Sequence, residues 1–427
     1  MRKFIELLLT LEIGFVAGLV ALAFLISWTL PWAVAAALAF ALLRWLLTRR
    51  LTLRTPMDGP VLLILLMTGV SARISAWPEV TLPQVYRLLS GIGLFYALVN
   101  WIGAAQNRWR LRWVVFGLML LTLGLEIFAF FGVRWVMTGK LVFLSALAAR
   151  FFPTLVGDAA NPNVMGGSLA ILLPLVVALP LFSLRQLRWY ESGLAILTAL
   201  LGAGILFLTQ SRAGLLAGGI AIGLLCVLRW RRAWRVAVMV GLAVGIVFAW
   251  LGAARVFNLM FASTGPGSLA GRQEIWSRAI YMLQDFPLTG VGMGAYGRVA
   301  DLLYPFFIYS PGTIDHAHHL LLQVAVDLGI PGMIAWFAAW LLILSMSWQL
   351  YRTGLMLQNS WLAGVGAGVF ASQVALLLHG QLDAVTWGMV RPAPIVWAVW
   401  GMAAAACYVE RKSQIAFTTL DTNLSEP

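Results

Sequence analysis

Apolar runs recur along the chain between short, Arg-rich polar stretches. Most approach the length, about 20 residues, that a helix needs to cross roughly 30 Å of hydrocarbon. They fall at 9–28, 31–48, 60–77, 88–105, 113–131, 164–183, 192–209, 213–229, 236–253, 330–350, 361–379 and 393–409. The pattern predicts an all-α polytopic membrane protein with about twelve transmembrane helices. Two longer stretches are not spans: 132–163 and 254–329, both with scattered charges, Gly and Pro. Three regions follow. Residues 1–160 carry about five spans and a polar segment, 161–350 a core with the large loop 254–329, and 351–427 the last spans and a polar tail, expected to be loose. No fixed-period repeat or low-complexity segment is visible.

Composition strengthens this reading. Of 427 residues, 61% are hydrophobic and 11% charged, where soluble domains run at roughly 45–50% and about 25%. That excludes a soluble enzyme, a disordered chain and a disulfide scaffold. A net charge of +13 would suggest nucleic acid in a soluble protein, but no Lys/Arg tract is long enough to track a phosphate backbone. Its source is the basic bias of cytoplasmic loops. Cys226 and Cys407 lie inside apolar runs and read as small buried hydrophobes. Met1-Arg2-Lys3 could open a signal peptide, but the apolar stretch behind it runs on to Trp28 through Glu12, as an uncleaved first span would.

With the N-terminus in the cytoplasm and sides alternating, most of the 29 Lys and Arg residues fall inside. Every short inner loop is basic, including 49–54 (RRLTLR) and 229–235 (RWRRAWR). Both termini are therefore expected in the cytoplasm, and Arg212 and the segment 254–329 on the outer face of the cytoplasmic membrane. Chemistry there cannot draw on cytoplasmic ATP or nucleotide-sugars. A group-transfer substrate must carry its own activation, and a lipid pyrophosphate is the usual form.

Three features stand out. Arg212, in Thr-Gln-Ser-Arg-Ala-Gly, sits between two apolar runs. An arginine at membrane depth costs roughly 2.5 kcal/mol or more, so it is either an interfacial anchor or an anion contact. Arg272 falls on the expected packed face of a helix from 272 to about 285, with Ile275, Trp276, Ala279, Ile280 and Leu283. Glu274, Arg278 and Asp285 fall on the opposite face, expected to be solvated. A guanidinium on a packed face needs an anion: a ligand, or a structural partner such as Asp301 or Asp315. The third feature is Asp315-His316-Ala317-His318-His319, just before a helix. These histidines could exchange a proton, hold a metal, or form an interfacial cap with no chemistry. Glu126, His379 and Asp383 are weaker signals that could line a cavity or pair. No Asp-x-Asp, P-loop or Gly-x-Ser-x-Gly pattern appears in a credible setting.

Four stretches, in order, resemble the O-antigen ligase and O-antigen polymerase superfamily of bacterial envelope proteins. They are Asn161-Pro162-Asn163 with Gly166; Ser211-Arg212-Ala213-Gly214; Gly271-Arg272 with Trp276, Ala279 and 285–292 (DFPLTGVG); and His316-Ala317-His318-His319 with Leu320, Gln323, Asp327-Leu328-Gly329 and Pro331-Gly332. They span about 161–350. The resemblance implies a GT-C-like fold whose periplasmic loop contains short helices. It also implies a glycosyltransferase that moves a polyprenyl-pyrophosphate-linked glycan to a lipid A core, protein or glycan acceptor, with the lipid bilayer as its setting and no nucleic acid. Arg212 and Arg272 would hold the pyrophosphate and His318 would activate the acceptor, with His316 as second candidate. His319, where the family usually has Asn, comes behind them with Trp276, Asp315 and Arg278. Two guanidiniums stabilising the leaving group remove the need for a metal, no cofactor is expected, and attack opposite to the leaving group predicts inversion. Ligase is favoured over polymerase. A transporter, the reading from another class, should show interrupted helices with midplane polar residues in both halves, whereas here they crowd one outer region.

Overall fold

The computed structural model describes residues 8–104, 108–132, 161–230, 232–252, 255–256, 269–384, 386–388 and 392–424. Residues 133–160 of the expected segment 132–163, residues 254 and 257–268 of the expected loop 254–329, and the basic start Met1-Arg2-Lys3 lie outside them. Among the described residues the regular structure is all helical. In chain order the α-helices are α1 (Glu12–Leu25), α2 (Leu30–Thr48), α3 (Asp58–Ile74), α4 (Pro78–Gly103), α5 (Trp109–Gly132), α6 (Pro162–Ser183), α7 (Trp189–Thr209), α8 (Arg212–Arg229), α9 (Ala233–Leu251), α10 (Leu269–Asp285), α11 (Tyr296–Leu303), α12 (Leu320–Met356), α13 (Ser360–Gly380) and α14 (Pro394–Leu424).

Nine described helices are long and apolar enough to cross a membrane: α2 with the turn before it, α4 to α9, α12 and α13. The remaining three expected runs are also helical, as α1, α3 and α14. α9 has no buried side chain, and its Met239 and Trp250 are 66% and 83% exposed. An apolar helix bare on all sides is stable in hydrocarbon and not in water. The polar stretch after Arg411, expected as a loose tail, continues α14 to Leu424. No Gly or Pro interrupts it there, so a helix already nucleated propagates.

The loops sort into two ends. At one, Leu53 N–H donates to Asn100 Oδ1 (3.0 Å), Arg108 pairs with Glu410 (2.5 Å), Arg112 Nε donates to Glu191 Oε1 (2.6 Å), and Trp361 N–H donates to Gln186 Oε1 (2.8 Å). At the other, Met293 N–H donates to Ser71 Oγ (2.7 Å), Thr81 Oγ1 donates to the Met293 carbonyl (2.8 Å), and Arg298 pairs with Glu79 (2.5 Å). The loops around Leu53, Arg108 and Gln186 thus lie at the first end, and those around Glu79 and Met293 at the second.

The motif residues at the second end are helix starts and close crossings. Asn161 caps α6 by accepting from Asn163 N–H (2.8 Å), with Pro162 at the first turn. Ser211 caps α8 by accepting from Gly214 N–H (3.3 Å). These two starts cross: a Cβ on Gly166 would lie 2.6 Å from Ser211 Cβ, and one on Gly214 would lie 3.0 Å from the Gly166 backbone. Small residues let the backbones meet where larger ones would hold them apart. Residues 285–294 then fold back onto α12. Val291 N–H donates to the Val326 carbonyl and Ile330 N–H to the Pro287 carbonyl, both at 2.8 Å. Gly290 has φ +67, and a Cβ there would collide with the Val326 carbonyl. α12 is itself broken at Gly329 (φ 72, ψ 174), just before Pro331.

Candidate functional site

α10 presents Ile275, Ala279 and Met282 to the interior, each at most 1% exposed, with Arg272 half-buried beside them. The expected packed face is therefore present, although Ile280 is 46% exposed. The opposite face is covered at Glu274 and Arg278, and this corrects the placing of those two as solvated. Arg278 is 8% exposed; it pairs with Glu274 (3.3 Å) and donates from Nε (3.1 Å) and Nη2 (2.9 Å) to the Pro305 carbonyl. Glu274 also accepts from the backbone N–H groups of Phe307 (2.5 Å) and Ile308 (3.1 Å). The return of the chain at 305–308 covers this face, so Arg278 is committed to holding that return. Asp285, beyond it, is exposed and accepts from the Tyr304 hydroxyl.

Arg272 does not pair with Asp301, which accepts from Gly312 N–H (2.8 Å); Asp315, the other expected partner, is exposed. Instead Arg272 donates to the Leu382 carbonyl, beside Asp383. Burial lowers its pKa from the ordinary value, and the Asp383 carboxylate and Tyr309 act the other way.

Asp383 is the residue that sequence reasoning undervalued. It lies just past the end of α13, 4% exposed, with its N–H on the His379 carbonyl (3.0 Å). Its Oδ1 is 3.1 Å from His316 Nε2 and 3.7 Å from His318 Nδ1, and accepts from Ala384 N–H (2.8 Å). The two imidazole rings lie 3.9 Å apart, centroid to centroid. Burial pushes the Asp383 carboxyl up, but the His316 hydrogen bond and the closeness of both imidazoles outweigh it and hold it well below the usual carboxylate range. Burial lowers His318 from its ordinary value; Asp383 opposes this, while His316 and Arg272 add to it. Asp383 thus faces two imidazoles, side chains that can take or give a proton near neutral pH. The side chains of His316 and His318 are 17% and 19% exposed, so both rings can be reached.

A buried chain of hydrogen bonds fixes the turn that carries them. His318 has φ +47, a left-handed conformation that costs a non-glycine residue free energy and persists only where its surroundings impose it. Ala317 N–H donates to Gln323 Oε1 (2.8 Å), Gln323 Nε2 to Asp327 Oδ1 (2.9 Å), and Trp387 Nε1 to Asp327 Oδ2 (2.8 Å). Gly294 N–H completes the set on Asp327 Oδ1 (3.1 Å). His319 stands apart as the N-cap of α12: its Nδ1 accepts from Leu322 N–H (3.3 Å), a task at which Asn excels. Trp276 lies edge-on to it at 6.0 Å.

Arg212 heads α8, half-buried. α8 packs on α6 and α13. Gly364 of α13 faces Ala178 of α6, and Gly368 faces Ala178 and Leu175. Continued along the pair, this antiparallel register sets the last turn of α13, with His379, level with the first turn of α6, where α8 begins. Arg212 therefore shares an end of the bundle with Asp383. The contacts described here gather Arg272, His316, His318 and Asp383 into one cluster, with Arg212 on a neighbouring helix start. Glu126 is elsewhere, against Gly202 of α7.

Residues 197–337 match a family model described as O-antigen ligase. The match takes in Arg212, Arg272 and the three histidines, and leaves Asp383 and Asn161-Pro162-Asn163 outside. No curated protein matches the chain.

Proposed function

From a chain whose central part belongs to the O-antigen ligase superfamily, we propose a membrane glycosyltransferase of ligase type acting at the outer face of the cytoplasmic membrane. Its donor is a glycan on a polyprenyl pyrophosphate, and its acceptor is a hydroxyl of a lipid A core, protein or glycan. The observation that carries this reading is the His316–Asp383–His318 cluster beside the half-buried Arg272. It joins a proton acceptor to a cation that can meet an anion.

His318 directs Nδ1 toward the Asp383 carboxylate, which favours the tautomer with its proton on that nitrogen and leaves Nε2 as the base. The 3.7 Å separation is longer than a formed hydrogen bond; such contacts commonly tighten when substrate binds. His316, 3.1 Å from the same carboxylate oxygen, steadies Asp383 beside it. The acceptor oxygen attacks the anomeric carbon as its proton passes to Nε2. The bond from that carbon to the diphosphate oxygen breaks, and its electron pair leaves with the lipid diphosphate. Arg272 and Arg212 stabilise the developing charge, as paired guanidiniums can in a partly dry site. Attack opposite to the leaving group inverts the sugar carbon. A polymerase would run the same step with a growing glycan as acceptor.

The test is to incubate the purified protein with a polyprenyl-pyrophosphate glycan and candidate acceptors in the presence of EDTA. The proposal expects transfer that is abolished by His318→Ala in a folded protein. Transfer that needs added divalent metal, or that survives this substitution, contradicts it.

A further inference from the structure

We propose that His316, His318 and Asp383 also form a three-ligand site for Zn²⁺, and that zinc bound there switches transfer off. One ring nitrogen from each histidine and one Asp383 oxygen lie within 4.8 Å of one another. Zinc bonds to imidazole nitrogen and carboxylate oxygen of about 2.0–2.2 Å place the ligand atoms of a tetrahedral site roughly 3.3 Å apart. Asp383 Oδ1 is already 3.1 Å from His316 Nε2 and 3.7 Å from His318 Nδ1, so small ring movements close the set. Three protein ligands leave the fourth position to water or a substrate oxygen, the arrangement of an open zinc site. Both rings are partly exposed, which gives an ion a way in, whereas Asp383 is buried and fixed by Ala384 N–H.

The cluster's surroundings set limits. Arg272, within electrostatic reach of Asp383, His318 and His379, repels a dication and weakens binding. His379 stands behind Asp383 as a neighbour and is not one of the three ligands. Among the described residues, no acidic side chain other than Asp383 belongs to the group. The site should therefore respond to added zinc rather than retain it through purification.

The blocking role rests on His318 being the base, and tautomer chemistry supplies it. Zinc takes the lone pair of His318 Nδ1, so the ring's remaining proton sits on Nε2. The nitrogen that would accept the acceptor's proton is then already protonated. Zinc also neutralises the Asp383 carboxylate that orients the ring.

Binding can be read without any donor or acceptor. The full-length protein is titrated with Co²⁺, whose visible ligand-field absorption reports entry into an imidazole–carboxylate site, and Zn²⁺ is then added to displace it. The expected result is one cobalt per chain, displaced by zinc, with affinity weakened at least about tenfold in His316→Gln, His318→Gln and Asp383→Asn and kept in His319→Gln and His379→Gln. Circular dichroism and gel filtration of each variant establish that it is folded. In the transfer assay, zinc over the same concentration range should suppress activity, and EDTA should restore it. Cobalt binding that is absent, or indifferent to all three ligand substitutions, overturns the site. Zinc that binds but leaves transfer unchanged, or raises it, overturns the blocking role. Should no glycan donor be turned over, the cobalt titration still decides whether the site exists.

Discussion

His316 and Asp383 stand 3.1 Å apart, imidazole nitrogen to carboxylate oxygen, although an entire broken helix and a second membrane helix separate them in the chain. α12 leaves from the histidine turn and α13 returns to the same end of the bundle, so the acid just past α13 meets the histidines just before α12. The pairing ties the polar loop to the helical core at the point where the proposed chemistry occurs.

Asp383→Asn keeps the side chain's size and its contact with Ala384 N–H but removes the charge that orients His318. Transfer should fall by about a hundredfold or more, within the range general-base catalysis contributes, while the melting temperature moves little. Rates and thermal unfolding of the purified variant in detergent check this. Near wild-type transfer would show that the carboxylate plays no part.

His319 should behave as a cap and not as a base. His319→Asn preserves an acceptor for Leu322 N–H and should keep stability and transfer within a few-fold. His319→Ala loses the cap and should cost about 1 kcal/mol of stability, read as a lowered melting temperature.

Gly290→Ala tests the fold-back of residues 285–294. Its φ of +67 and the closeness of the Val326 carbonyl leave no room for a Cβ. Backbone strain alone costs about 1–3 kcal/mol. The variant should melt at a clearly lower temperature, and its transfer should fall because the Gly294 contact to Asp327 loosens. A neighbouring control, Gly312→Ala, has a positive φ but no atom near the added carbon and should be milder.

Topology can be read by labelling. With Cys226 and Cys407 replaced by Ala, Thr313→Cys should react with a membrane-impermeant maleimide from outside the cytoplasmic membrane, and Arg50→Cys only after the membrane is opened. The reverse pattern would put the cluster on the cytosolic side.

Much of this arrangement was legible in the sequence because hydrophobic period and loop charge are local signals. The apolar runs marked where the helices lie, and the packed face of α10 followed from its spacing, with Arg272 on it. The burial of Arg278 was not legible. Whether the far face of a helix meets water depends on where the chain at 305–308 returns, and no local pattern records that. From sequence alone Asp383 is one of several isolated polar residues among apolar runs, since its partners lie in another segment. The clue available was topological: the end of the run 361–379 emerges on the same side as the histidines. The His319 departure becomes intelligible once its cap is seen, because Asn and a neutral imidazole can both accept from the first turn of a helix.

The central claim is that Arg212 and Arg272 grip the diphosphate of the donor. Its most direct test is the equilibrium affinity of the purified protein for a polyprenyl-pyrophosphate glycan, measured for wild type, Arg212→Ala, Arg272→Ala and His318→Ala. The account predicts a loss of about 10- to 100-fold for each arginine variant, the weight of a charge-assisted hydrogen bond, with binding retained in His318→Ala. Equal affinity in all four proteins would contradict it.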